Sequence, residues 1–329
     1  MDVTERRARV SDGMPPRAGL PVDFRGVDPE VPVGPLRLSS PILTASGCFG
    51  SGQELHRFVD LSVLGALVCK TVTLAPRIGI APTRGAETPA GMLNAIGLQN
   101  PGVEAFRDRD LAWLDERGYP AIASVGGHSI DEYRRCVELL EGAPLVAIEL
   151  NLSCPNLEER GFMFALDPER CRRVVQACVE AAAGVPVFAK LSPDVTDLVS
   201  IAGAALDGGA TGLSLINTTL GMAIDVERRR PVLSTGTGGL SGPAIRPIAV
   251  RCIHQVASAF PGVPIIGMGG VRTGRDAAEL LLAGASAVAV GTANFVDPAA
   301  TARVLAELVD LTADQGMRRI TDWVRALDT

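Results

Sequence analysis

The sequence is almost without lysine. Of its 31 lysine and arginine side chains, only two, Lys70 and Lys190, are lysines. It also has no Cys-x-x-Cys pair: seven cysteines stand apart at 48, 69, 136, 154, 171, 178 and 252. That argues against structural zinc, iron–sulfur ligation and a redox dithiol in this chain. An odd number of scattered thiols fits a reducing compartment better than a disulfide framework. No Gly-x-Gly-x-x-Gly occurs, so a Rossmann dinucleotide site is not indicated. No apolar run approaches the ~20 residues of a membrane span. The first twenty residues, MDVTERRARVSDGMPPRAGL, have no apolar core of signal-peptide length and carry Asp2, Glu5 and Asp12, unlike a transit peptide. They read as a disordered tail, 1–20, ahead of one catalytic domain over 21–329, and the protein is expected in the cytoplasm. Excess positive charge is missing too. With a formal net charge of −6 and a pI near 5.3, the chain has no general attraction for nucleic acid or anionic lipid.

What is present is a rhythm. The 329 residues are 47% hydrophobic and 21% charged, an ordinary soluble composition with room for one large α/β domain or two smaller ones. From residue 42 onward, eight short apolar runs alternate with longer segments of helical period. The runs are ILTASG (42–47), ALVCKT (66–71), AIASVG (121–126), VAIELN (146–151), VFAKLS (187–192), GLSLIN (212–217), PIIGMG (264–269) and AVAVGT (287–292). Continuous apolar strands suit a parallel sheet covered on both faces. Helices are predicted over 103–118, 167–184, 274–285 and 297–310, the second opening with an Asp cap followed by Pro and closing in Gly. Eight such units predict a single (β/α)8 TIM barrel; a doubly wound sheet is the alternative. Residues 22–41 predict a small N-terminal β-hairpin closing the barrel bottom. Two segments, 74–102 and 218–243, are too long for simple βα connections and predict long loops over the C-terminal mouth, where barrels build substrate pockets.

The strand ends carry polar groups: Ser46, Lys70, Ser124, Asn151, Lys190, Asn217, Gly269–Gly270 and Gly291–Thr292. In a barrel these converge on one mouth. A chain that otherwise uses arginine places its two lysines inside apolar runs, where a compact point charge facing an anion explains them. The alternative for a buried lysine is a salt bridge to an internal acid such as Glu149. The last two strands end in GMGGVRTG and VGTANF, whose glycines expose backbone N–H groups where barrels commonly hold phosphate. A mononucleotide in the mouth fits this pattern, and flavin mononucleotide (FMN) is the natural one, with Lys190 beside its pyrimidine end. Asn94, Asn151, Asn156 and Asn217 offer donor and acceptor at fixed geometry, suited to a flat ring of alternating C=O and N–H groups, with Lys70 for a carboxylate. ELNLSCPN (149–156) places Cys154 just past a strand end. A turn with a buried, inert cysteine is the plain alternative there.

These motifs (ASGCFG, CKTVTLAPR, ETPAGMLNAIGLQNPG, ELNLSCPN, KLSPDVTD, GLSLINTTLGMAID, GGLSGPAI, PIIGMGG and VGTANF) closely resemble class 1 dihydroorotate dehydrogenases over about residues 20 to 310. ETPAGMLNAIGLQNPG and NTTLGMAID are most similar to the B-type, NAD-linked catalytic subunits. The resemblance implies an FMN barrel oxidising (S)-dihydroorotate to orotate in pyrimidine biosynthesis, with Cys154 as catalytic base. It implies that Lys70, Asn94, Ala95, Ile96, Gly97, Leu98, Asn151, Asn156, Asn217 and Thr218 contact orotate. It assigns FMN to Ser46, Lys70, Thr71, Ser124, Asn151, Lys190, Ile216, Gly242, Gly269, Gly270, Gly291 and Thr292. It further implies a homodimer within a heterotetramer, whose partner subunit carries FAD and an iron–sulfur cluster and passes electrons to NAD.

The sequence departs from the family pattern at Ser124, where Asn is usual, at Cys48, where Thr is usual, and through 157–169. Rival readings are an A-type, fumarate-reducing relative, a flavin enzyme acting on a related pyrimidine, and a non-catalytic barrel serving as a binding or scaffold protein.

Overall fold

The computed structural model describes residues 22–152 and 164–327. Its centre is a closed barrel of eight parallel strands that follow one another around the ring in chain order: Ile42–Thr44, Ala66–Val68, Ala121–Val125, Ala147–Asn151, Val187–Leu191, Gly212–Leu215, Ile265–Met268 and Ala287–Val290. The last strand pairs with the first, Val288 opposite Ile42 and Val290 opposite Thr44. Every strand residue is buried, since one face meets the barrel interior and the other the helices. All eight apolar runs are therefore strands, seven of them ending one to three residues before the run does and the fourth ending with it at Asn151. The polar residues beyond the strands point the chain into the mouth.

The helices start where side chains can satisfy their first N–H groups. Ser129, Asp167, Asp197 and Thr273 each accept a hydrogen bond from the backbone three residues on, and Thr273 and Asp276 complete a capping box. The hairpin Val31–Val33 and Leu36–Leu38 forms as expected. A Cβ added at Gly34 would lie 3.0 Å from Pro264, which precedes a barrel strand, so the hairpin turn sits under the N-terminal end of the barrel.

Three features differ from the sequence expectations. The helix over 103–118 contains a π-helical turn, Phe106–Leu111. That extra residue turns Asp110 inward, where it accepts from Ser51, Gln53 and Arg109 and pins the segment after the first barrel strand. The helix expected over 297–310 runs from Ala300 to Asp314, and a separate short helix, Ala293–Val296, stops before it at Asp297, which precedes a proline and is extended. The two long excursions are not merely loops. Gly85–Thr88, Gly91–Asn94, Thr219–Gly221 and Gly238–Ser241 pair into a four-stranded antiparallel sheet bordering the mouth, with Leu240 opposite both Leu93 and Thr219. Among the described residues no helix is long and apolar enough to cross a membrane.

Candidate active site

A cavity of about 600 Å³ opens at the C-terminal mouth, within the size range of small-molecule sites. Ten of the expected residues line it: Ser46, Lys190, Ile216, Asn217, Thr218, Gly242, Gly269, Gly270, Gly291 and Thr292. One end is built of glycine. Gly242 and Gly270 have φ of +90° and +75°, which favour glycine. A Cβ at Gly270 would lie 2.8 Å from the Gly242 carbonyl and 2.9 Å from Arg246 Cβ, and one at Gly242 would lie 2.7 Å from Gly91 Cα. Close approach of three loops leaves room for nothing larger. Thr292 closes this end, its hydroxyl donating to Ser241 at 2.9 Å.

At the other wall stands Lys190, 4% exposed, which donates to Ser46 Oγ at 2.9 Å. It also meets Glu149 Oε1 at 3.5 Å, so the internal salt bridge weighed from the sequence is present in addition to the cavity-facing role. A chain of side-chain hydrogen bonds leads from that carboxylate to the asparagines. Ser124 donates to Glu149 at 3.3 Å, Thr71 and Ser124 are bonded at 2.9 Å, Asn151 Nδ2 donates to Thr71 at 3.3 Å, and Asn217 Nδ2 donates to Asn151 Oδ1 at 3.1 Å. The carboxylate accepts only and the amide nitrogens donate only, so every donor in the chain points toward Glu149. That fixes the orientation of both asparagine amides. Tyr133 holds the same strand end, donating to the Asn151 carbonyl at 2.7 Å.

Thr71, Ser124 and Asn151 thus lie buried beneath the cavity wall rather than lining it. Asn94 donates to the Gly239 carbonyl at 3.3 Å, on the sheet beside the mouth. A Cβ at Gly126 would meet both Thr71 and Leu98, so Leu98 shares the Thr71 side of the opening. Ala95 bonds to Arg84 and Ile96 to Ile80, which ties 94–98 to the preceding excursion. Gly97, at φ +74°, makes that turn, and neither it nor its neighbours Asn94–Leu98 line the cavity. Cys154 and Asn156 lie outside the described residues.

Sequence reasoning missed Gly91, Met92 and Ser241 of the sheet, and Arg272 and Phe295 at the rim. Cys48 lines the cavity as well. Burial pushes its thiol up to about 11, against the opposing pull of Lys190 and Lys70. Both lysines are therefore close enough to act on one thiol, which brings Lys70 to the same mouth.

The residues present fit a phosphate-bearing cofactor. Glycines without room for a Cβ cluster at one end, and an ammonium stands at the wall. Comparison with known proteins agrees. Residues 30–311 match the family model described as dihydroorotate dehydrogenase. The chain belongs to the dihydroorotate dehydrogenase family. It is 50% identical over 290 residues to a protein of Geobacillus kaustophilus, covering 88% of this chain and 92% of that one. It is 52% identical over 297 residues to one from Desulforudis audaxviator (90% and 96%), and 50% identical over 293 to one from Listeria innocua (89% and 96%). All three relatives are named dihydroorotate dehydrogenase B (NAD(+)), catalytic subunit. The family membership expected from the strand-end motifs is thereby established, and the family's barrel is the one observed.

Proposed function

We propose that this chain is the catalytic subunit of an NAD-linked dihydroorotate dehydrogenase of the cytoplasm, oxidising (S)-dihydroorotate to orotate in pyrimidine biosynthesis. The observation that carries the reading is the single cavity joining a glycine-built end, the Lys190 wall and the Asn217 end, in a chain half identical to B-type catalytic subunits. The backbone of Gly242, Gly269, Gly270, Gly291 and Thr292 binds the phosphate of FMN. Bound there, FMN would supply the acceptor for the hydride that leaves one ring carbon of the substrate. Lys190, on the cavity wall, would offer positive charge to the cofactor. Asn151 and Asn217, oriented by the chain of donors, hold the substrate ring with Asn94, Asn156 and Thr218. Lys70 faces the substrate carboxylate. Cys154, three positions past the strand Ala147–Asn151, removes the proton from the adjacent ring carbon onto its Sγ. A homodimer, joined to a subunit bearing FAD and an iron–sulfur cluster, passes the electrons on to NAD.

The test is an anaerobic absorption spectrum of the purified chain loaded with FMN, before and after adding dihydroorotate. Bleaching of the yellow colour is expected, with no NADH formed until the partner subunit is supplied. A yellow protein that dihydroorotate does not bleach overturns the substrate. Reduction of fumarate by the isolated chain would move it to the A-type instead.

A further inference from the structure

We infer that Glu149 is a positioning residue that sets how much of the Lys190 charge reaches a cofactor in the barrel mouth. The inference rests on the reading of the cavity as an FMN site. Glu149 lies in the middle of the strand Ala147–Asn151 and is 1% exposed. Its register neighbour on the next strand is Phe188, itself fully buried. An acid at such a position is not explained by stability. Burying a carboxylate costs several kcal/mol, and apolar replacement of a buried ion pair is often neutral or stabilising.

The contacts say what the acid does instead. Among the described residues its hydrogen bonds fall on one oxygen: Oε1 receives Ser124 at 3.3 Å and Lys190 at 3.5 Å, both long. Oε2 has no partner among the described residues. The carboxylate charge is therefore little spent on local hydrogen bonds and acts mainly as a counter-charge to the ammonium. Lys190 meanwhile bonds Ser46 at 2.9 Å on the cavity side. The ammonium is stretched between a carboxylate behind it and the cavity in front. Paired with Glu149, it presents an attenuated positive charge to the mouth. With the carboxylate replaced by a neutral amide of the same shape, the full charge would act on whatever lies there, and in a buried site such a term is large. The reduced flavin, which carries more negative charge than the oxidised form, would gain most.

The experiment is a reductive titration of the FMN-loaded wild type and of Glu149→Gln and Glu149→Asp, read as midpoint potential and as the affinities of reduced and oxidised FMN. Glu149→Gln is expected to raise the potential, increasing the preference for reduced over oxidised FMN on the order of tenfold. Glu149→Asp keeps the charge but withdraws it by one methylene, and is expected to give a smaller rise. Loss of mere structural support would weaken both redox forms alike and leave the potential where it was. A potential unchanged or lowered in the Gln variant overturns the inference; if that variant holds no FMN, the Asp variant decides in the same way. A wild-type chain that takes up no FMN overturns the cavity reading and this inference together, whereas bound FMN with an unmoved potential removes only the inference.

Discussion

Burial silences most of the thiols of this chain. Desolvation pushes Cys48 up to about 11 and Cys69, Cys136 and Cys171 up to about 12, and Cys178 and Cys252 are raised as well. All six are protonated at neutral pH, and the thiolate is the nucleophile. Alkylation of the native protein by iodoacetamide between pH 7 and 9, followed by peptide mapping, should therefore label the peptide containing Cys154 first. Prior labelling of Cys48 would show that the two lysines outweigh its burial. The proposed base gives a second expectation. Cys154→Ser should retain FMN and orotate binding but lose most turnover near neutral pH, because a hydroxyl is far harder to ionise than a thiol and supplies no anionic base there. Turnover of the wild type should rise toward the ordinary thiol value of ~8.5. A serine variant with full turnover at pH 7 would remove Cys154 from the chemistry.

Elements rather than residues shape the cavity roof. The strands Gly91–Asn94 and Gly238–Ser241 cross so closely that a Cβ at Gly91 would collide with the Ser241 carbonyl. Gly91→Ala must push the sheet off the glycine end of the cavity while leaving the barrel strands untouched. We expect FMN affinity, measured by fluorescence titration, to fall about tenfold or more, with an unchanged far-ultraviolet circular dichroism spectrum; equal affinity would show that this edge carries no part of the cofactor. Asp276 is the matching test on a helix. It accepts from the backbone of Arg272 and Thr273 and pairs with Arg246, which packs beneath Gly270. Asp276→Ala loses the capping box and leaves Arg246 with Glu279 alone, so unfolding in urea should show a loss of about 2 kcal/mol. At this scale the sequence was most legible where burial is two-sided. The eight barrel strands are unbroken apolar runs, and the glycines and polar residues beyond them mark the mouth. The sheet of the two excursions was illegible, because its strands are short, rich in Gly and half exposed, and pair residues about 150 positions apart, such as Leu93 with Leu240. The Glu149–Ser124–Thr71 chain was hidden for a related reason. It depends on the register of neighbouring strands, which no local pattern records, although Glu149 itself stood out as an acid inside an apolar run.

For the whole molecule, the same buried thiols tie stability to alkaline pH. A group whose pKa is raised in the folded state stabilises fully below its unfolded value and loses that contribution as pH rises through its folded value. The thiols have unfolded values of ~8.5, and burial raises Cys48 to about 11 and Cys69, Cys136 and Cys171 to about 12, so the window opens just above pH 8.5 and extends to about 12. Across it each thiol withdraws about 1.4 kcal/mol per pH unit, and several act together. The thermal midpoint should be nearly level from pH 7 to 8.5 and then fall steeply toward pH 10.5. The slope alone does not isolate the thiols, because other groups also ionise in this range. Cys178→Ala does. Cys178 lies on the helix Pro168–Ala181, fully buried, and Cys136 of the helix Ile130–Glu138 raises it further, so the substitution removes one strongly raised thiol. The variant starts lower at pH 7 because a sulfur has been removed from the core, yet its midpoint should decline more shallowly above pH 9 than that of the wild type. Parallel declines would mean that groups other than the helix-layer thiols set the alkaline limit of the barrel.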